Sequence, residues 1–175
     1  MDSVRDIAIQ AHENTNHLYD GKPYSVHLSM VVDYAKKYID YIPGESRSDV
    51  INACWLHDVI EDCRFTYKDV KNIAGETVAN IVYAVSNEKG RTREERANED
   101  YYKGIRNTPF ATFVKLCDRL ANLKYSSETN PKKLAMYSRE HQHFITSLFP
   151  GEGDKKDFQP MLNELSQLTY QQLQE

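Results

Sequence analysis

The chain has 175 residues, of which 40% are hydrophobic and 27% charged, with a formal net charge of −4. That length suits one domain with its own core, and the acidic balance excludes general coating of nucleic acid. No apolar run approaches the length of a transmembrane helix, and the opening MDSVRDIAIQ lacks the apolar core of a secretory leader, so no membrane partner is expected. Cys54, Cys63 and Cys117 form no CxxC pair, which reads as reduced thiols in a cytoplasmic protein.

Helical periodicity runs through most of the chain. Residues 2–13 carry Val4, Ile7, Ala8 and Ala11 on one face, and residues 24–39 carry Leu28, Val31, Val32, Ala35 and Ile39. Pro43-Gly44 breaks the chain, and Ser46 or Ser48 caps a helix predicted to reach Ile60. Thr66–Ala74 reads as a short helix closed by Gly75, and Glu76–Val85 as another with Val78, Ile81, Val82 and Val85 inward. Residues 86–100, SNEKGRTREERANED, have almost no apolar content and read as a surface loop or solvated helix start, a candidate flap. Pro109 suits the first turn of a helix to Lys124, Pro131 opens one to Phe149, and a final amphipathic helix begins near Asp157. No segment alternates cleanly with period two and no repeat is visible. The expectation is an all-α protein, a single domain over 1–175 with its motifs within 21–124 and C-terminal helices over 131–175.

Three of these helices carry ligand-capable groups beside apolar stripes. His27 sits next to Leu28, His57-Asp58 ends the run Ala53-Cys54-Trp55-Leu56, and Asp118 follows Phe113, Val114, Leu116 and Cys117. Charged groups beside a core are costly to desolvate unless paired. Adjacent residues on a helix project about 100° apart, so His57 and Asp58 can both reach one ion at the helix edge. His27 and Asp118 then complete two imidazoles and two carboxylates, a mixed N/O set suited to Mn²⁺, Fe²⁺ or Zn²⁺ rather than Ca²⁺. Glu61 and Asp62 lie four residues after His57 and Asp58, and Asn122 four after Asp118, so each shares a face with its partner. Taken singly, a histidine on an amphipathic helix is usually a hydrogen-bonded structural residue, and Asp118-Arg119 reads as a surface pair. The combination is what points to a site. His141 and His143 read as structural, Cys54 and Cys117 as small packing residues, and spacing leaves His17 unassigned.

The order His27, His57-Asp58, Asp118 resembles the HD-domain metal-dependent phosphohydrolases. "GKPYSVH" (21–27), "LHDVIEDC" (56–63) and "VKLCDRLANLK" (114–124) resemble the hydrolase domain of RelA/SpoT proteins and the small stand-alone alarmone hydrolases, over roughly residues 5–150. The resemblance implies an HD-domain helical bundle that removes the 3′-pyrophosphate of (p)ppGpp with Mn²⁺ and releases pyrophosphate. It implies His27, His57, Asp58 and Asp118 as metal ligands, Glu61 and Asp62 as the pair that orients or deprotonates the attacking water, and Asn122 as a substrate contact. Two departures stand out. Family members usually carry a basic residue, often Arg-Lys, before Gly-x-Pro-Tyr, where it packs on the guanine; this chain has His17-Leu18-Tyr19-Asp20. After the matching asparagine the family continues with Arg-Thr; here Leu123-Lys124 follows, which keeps a charge without the bidentate fork.

On that reading Lys124, Lys22 and Lys115 are candidates for holding the rest of a small nucleotide, with Tyr19 and Tyr125 as stacking residues. Lys89, Arg91, Arg93 and Arg96 join on closure of the flap, unless, interspersed with Glu94, Glu95 and Glu99, they form a solvated face. The rival readings are another HD-type phosphatase, a 5′-nucleotidase or an NADPH 2′-phosphatase, and a non-catalytic metal-stabilised module that binds nucleotide. A monomer and a homo-oligomer are equally compatible with the sequence.

Overall fold

The computed structural model describes residues 2–86, 91–151 and 155–170, without the side chains of Glu94 and Tyr170. Lys89 of the expected flap lies outside the described residues. The chain begins with α1 (Val4–Asn14), where the Ser3 side chain accepts from the Asp6 N–H. Two short strands, β1 (Leu18–Tyr19) and β2 (Lys22–Pro23), then pair antiparallel with Tyr19 opposite Lys22. Period-two patterning could not reveal so short a hairpin, but its turn has a signal: Asp20 and Gly21 both adopt positive φ, +53° and +79°, the conformation that Asp-Gly favours in a two-residue hairpin loop.

Next come α2 (Ser25–Lys37) and α3 (Arg47–Leu56). The helix expected to run to Ile60 instead stops at Leu56, and α4 (Val59–Asp62) starts after a break at His57-Asp58. The cause is local. His57 Nδ1 lies 2.9 Å from the Cys54 carbonyl, the acceptor that an unbroken helix would offer to the Asp58 N–H, and such side-chain competition favours helix ends. Helices α5 (Tyr67–Ala74) and α6 (Glu76–Val85) follow, joined at Gly75 with φ +93°.

Part of the expected flap is helical. A Thr92–Glu95 capping box opens α7 (Arg93–Arg96), and Asn98 caps α8 (Glu99–Asn107). Tyr101, Tyr102 and Ile105 are buried in α8, an i, i+1, i+4 stripe that the polar run before it obscured. The long α9 (Ala111–Thr129) begins after Phe110, whose φ is +66°, two residues later than Pro109 suggested and ending five residues past Lys124. Then come α10 (Pro131–Leu148) and α11 (Gln159–Tyr170).

Helix α9 is the axis of the bundle. Phe113, Val114, Leu116, Cys117, Leu120, Ala121 and Leu123 are all fully buried, which marks a helix surrounded on every side. Helices α2, α10 and α11 make its most extensive contacts, and α6, α3 and α8 also pack on it. The observed architecture is the expected all-α bundle. No described helix is long and apolar enough to cross a membrane.

Candidate metal centre and active-site cleft

Four titratable side chains meet where α2, the α3–α4 break and α9 converge. His27 Nε2 lies 3.3 Å from His57 Nε2 and 3.3 Å from Asp118 Oδ1. Asp58 Oδ2 is 2.8 Å from His57 Nε2 and 3.8 Å from His27 Nε2. One atom each of His27, His57 and Asp118 fits within a 4.8 Å span. The break in the helix is what turns Asp58 back toward the imidazoles. Because a carbonyl only accepts, the contact to Cys54 puts the hydrogen of His57 on Nδ1, and its Nε2 is the nitrogen aimed at the cluster.

The electrostatics of this cluster call for a cation. Burial opposes charge on His57, yet the carboxylates of Asp58 and Asp118 raise it to about 10. Burial likewise opposes ionisation of Asp118, but the Lys115 ammonium and the two imidazoles hold it well below the carboxylate range, and His57 does the same for Asp58. Two imidazoles and two carboxylates this close, nearly removed from solvent, match a divalent cation in donor type and number.

The surrounding groups fix the donors in place. Tyr24 OH donates to Asp58 Oδ2 at 2.5 Å. Asn122 Nδ2 donates to Asp118 Oδ1 at 2.6 Å, and Lys115 Nζ to Asp118 Oδ2 at 2.9 Å. Tyr19 OH donates to Asn122 Oδ1 at 2.9 Å, and its ring stacks on His27 at 4.7 Å. Tyr24 precedes His27 by one turn and Lys115 precedes Asp118 by one turn, the same-face spacing that picked out Glu61 and Asn122. For Tyr24 that spacing from His27 is already visible in the sequence.

The cluster opens into a cleft of about 1100 Å³. Asp58, Glu61, Asp62, Lys115, Asp118 and Asn122 line the side next to the donors. Asp62 is pushed up to about 7 by burial and by the repulsion of Asp58 and Glu61. The lining also carries Arg93, Arg96, Arg119, Arg139 and Glu140. Arg93 Nε donates to Glu140 at 2.6 Å and Arg119 Nη1 to the other Glu140 oxygen at 3.3 Å. The Arg119 guanidinium also lies over the rings of Phe144, at 4.2 Å, and Tyr137, at 4.8 Å. Arg119 thus points inward rather than forming a surface pair with Asp118; an arginine within a helix buried all round was the clue. For Arg139, Glu140 and His143, which also line the cleft, the sequence offers no comparable signal.

His27, His57, Asp58, Glu61, Asp62, Asp118 and Asn122 are therefore brought together. Tyr19, Lys22 and Lys124 sit outside the cleft lining. Tyr19 is buried beneath the cluster. Lys22 lies 5.2 Å from the Tyr125 ring, and Lys124 pairs with Glu128 at 2.6 Å on an exposed face.

An HD-domain family model matches residues 5–148. The guanosine-3′,5′-bis(diphosphate) 3′-pyrophosphohydrolase MESH1 of Danio rerio is 28% identical over 131 residues, covering 73% of this chain and 69% of that protein. The bifunctional (p)ppGpp synthase/hydrolase SpoT of Escherichia coli K12 is 30% identical over 141 residues, or 77% of this chain but 19% of its own length. The chain thus spans about a fifth of that larger relative. A solved structure described as a metazoan ortholog of SpoT that hydrolyses ppGpp superposes with a TM-score of 0.69, covering 99% of this chain and 97% of that one. Its sequence identity of 20% speaks to the fold alone.

Proposed function

This chain belongs to the HD-domain family, and from that premise we propose that it is a metal-dependent guanosine-3′,5′-bis(diphosphate) 3′-pyrophosphohydrolase. The observation that carries this reading is the position of Glu61 and Asp62. A structural metal needs no adjacent acids, yet these two line the cleft immediately beyond the His57-Asp58 donors. The Danio rerio relative bears this activity in its name, and the Escherichia coli relative is named a (p)ppGpp synthase/hydrolase.

His27, His57, Asp58 and Asp118 would hold the cation, with Mn²⁺ first and Fe²⁺ or Zn²⁺ as alternatives for a mixed N/O set. The cation, when bound, supplies Lewis-acid activation of water and charge stabilisation on the phosphoryl oxygens. Asp62, whose proton affinity is raised by burial, is placed to accept a proton from that water. Glu61 beside it orients the same water. Asn122 contacts the substrate beside the cluster, and Lys115 offsets charge developing on the phosphoryl group. Attack at the phosphorus bonded to the 3′-oxygen breaks that P–O bond and releases pyrophosphate and a 3′-hydroxyl. The remaining anionic groups of the nucleotide face Arg93, Arg119 and Arg139 across the cleft. Three buried free cysteines support a cytoplasmic setting.

Turnover of (p)ppGpp with Mn²⁺, against a chelated control and an NADPH arm, tests the assignment, with products followed by ³¹P NMR. Pyrophosphate from (p)ppGpp supports it; orthophosphate from every substrate tried overturns it. Glu61→Gln should retain metal while turnover falls by about 10²–10⁴-fold, and a fully active variant would remove Glu61 from the mechanism.

A further inference from the structure

The reaction above leaves one carboxylate of the cleft without a role. Glu140 of α10 lines it together with Arg93, Arg96, Arg119 and Arg139. A carboxylate works against an anionic ligand, because like charges close together repel, so its place there needs a reason. Its two oxygens are divided between two other helices. Oε1 accepts from Arg93 Nε of α7 at 2.6 Å, and Oε2 from Arg119 Nη1 of α9 at 3.3 Å. The neighbours of Glu140 on α10 hold the same two arginines. The Tyr137 ring, one turn before it, lies 4.8 Å from the Arg119 guanidinium and 5.5 Å from that of Arg93. Phe144, one turn after it, lies 4.2 Å from Arg119. One face of α10 thus gathers cations from α7 and α9.

We propose that Glu140 is a positioning residue, which holds Arg93 and Arg119 together as a clamp for the 5′-diphosphate of the nucleotide, the anionic group remote from the bond that breaks. This rests on the phosphohydrolase reading above. A guanidinium carries five N–H donors, and each of these two gives one to Glu140. Among the described residues, the greater part of each fork is left for phosphate oxygens, which arginine meets in bidentate fashion.

The two arginines need a shared partner for different reasons. Arg119 belongs to the long α9, and its side chain is only 9% exposed. Arg93 belongs to the four-residue α7, and its side chain is 49% exposed. So short a helix has too few internal hydrogen bonds to hold its own place, so the bond to Glu140 sets where Arg93 stands. Two cations gathered for one diphosphate also repel each other before it arrives, and a carboxylate between them offsets that repulsion. Asp118 is within electrostatic reach of both Arg93 and Tyr137, so the clamp and the donor set serve one cleft. Glu140 touches neither the reacting phosphorus nor the cation on this reading; it acts through the arginines.

Steady-state kinetics of Glu140→Gln on (p)ppGpp test this. Glutamine keeps one acceptor oxygen and loses the charge, so it can hold one arginine but not both. KM should rise by about tenfold to a hundredfold while kcat stays within about threefold, the signature of binding lost equally in ground and transition states. Guanosine 5′-diphosphate, which carries the 5′ group alone, should weaken as a competitive inhibitor by a similar factor. Arg93→Gln with Glu140→Gln should raise KM by less than the product of the two single effects, because Glu140 acts through the arginine. An unchanged KM with only a lower melting temperature would reduce Glu140 to packing and overturn the clamp. A lower KM would overturn it too, by showing that the carboxylate occupies the seat of the anion, as would a fall in kcat alone or single effects that simply multiply. Wild type that releases no pyrophosphate from (p)ppGpp overturns the function and the clamp together. Active wild type with an unimpaired Glu140→Gln overturns the clamp alone.

Discussion

Two clusters in this protein use the same kinds of residue to opposite ends. Near the C-terminus, Glu164 of α11 accepts from Lys37 Nζ at 2.7 Å, from Tyr34 OH at 3.4 Å and from Tyr38 OH. One carboxylate there meets three donors, one of them cationic, and its charge is stabilised: burial raises its pKa, but the bonds from Lys37 and Tyr38 hold it below the ordinary range. The hydrogen-bond inventory closes, and the result pins α11 to α2. At the α2–α9 cleft, carboxylates, a tyrosine and a lysine are again gathered from distant segments. The inventory there does not close, because two imidazole Nε2 atoms and the oxygens of Asp58 and Asp118 converge on one point. A cluster whose groups satisfy one another is glue; a cluster whose lone pairs converge is built for something that is not part of the chain.

If that distinction is right, the two clusters should fail differently. The largest effect belongs to the donors. His57→Ala or Asp58→Asn should lose bound metal, read by elemental analysis, and lower turnover about a thousandfold or more. Metal retained at wild-type stoichiometry in both variants would break the comparison. Tyr24→Phe comes next. It leaves the stacking of His12 and His17 on the ring in place and removes only the hydroxyl that donates to Asp58, so metal affinity should fall by about 10–100-fold in a titration while the melting temperature barely moves.

A smaller effect has an informative sign. The Asp62 carboxyl is raised from 3.8 to about 7, chiefly by burial. Below 3.8 it is protonated in both folded and unfolded chains and costs nothing. Between 3.8 and 7 the unfolded chain ionises while the fold resists, so stability falls as pH rises, and above 7 the full cost remains. In protein stripped of metal, Asp62→Asn should therefore raise the melting temperature by a few degrees, roughly, at pH 8 and leave it unchanged near pH 3. A variant less stable than wild type at pH 8 would show that Asp62 is paired like Glu164.

The smallest effect is expected at Glu164. Its pKa is lowered, so its contribution is present above the ordinary glutamate value of 4.5 and is lost as pH falls through the folded value. Lys37 is 53% exposed, so Glu164→Gln should cost about 1 kcal/mol or less at pH 7 in denaturant unfolding. Turnover should be unaffected; a loss of activity would mean that this contact transmits to the cleft.

The sequence made the donor set legible because each donor borders an apolar stripe. His27 beside Leu28, and Asp118 after Leu116 and Cys117, are positions where an unpaired polar group is hard to bury, so spacing and burial pointed the same way. Glu61, Asp62 and Asn122 followed from the four-residue repeat. The arginine-bearing lining was legible only in part: Arg93 and Arg96 stood among the expected flap cations, but the meeting of Arg93 with Arg119 and Glu140 could not be read from spacing. Arg93, Arg119 and Glu140 come from three helices, and periodicity along one helix says nothing about which face of a second helix it meets. Tyr19 shows the same limit: an aromatic next to a turn reads as a stacking surface, whereas the Asp20-Gly21 hairpin folds it under the cluster onto His27 and Asn122.

The sequence by itself determined the all-α class, the positions of most helices and the identity of the residues that converge, because helix period and desolvation cost are properties of short stretches. Only the tertiary structure decided that the helix breaks at His57-Asp58, that Arg119 turns into the cleft, and that His12 and His17 come to rest on Tyr24 beside Asp62. At the break the local contact of His57 with the Cys54 carbonyl is joined by contacts of Asp58 with Tyr24 and His27 of another helix, and the other two outcomes likewise rest on side chains of separate segments meeting, which is settled only once the layers have packed.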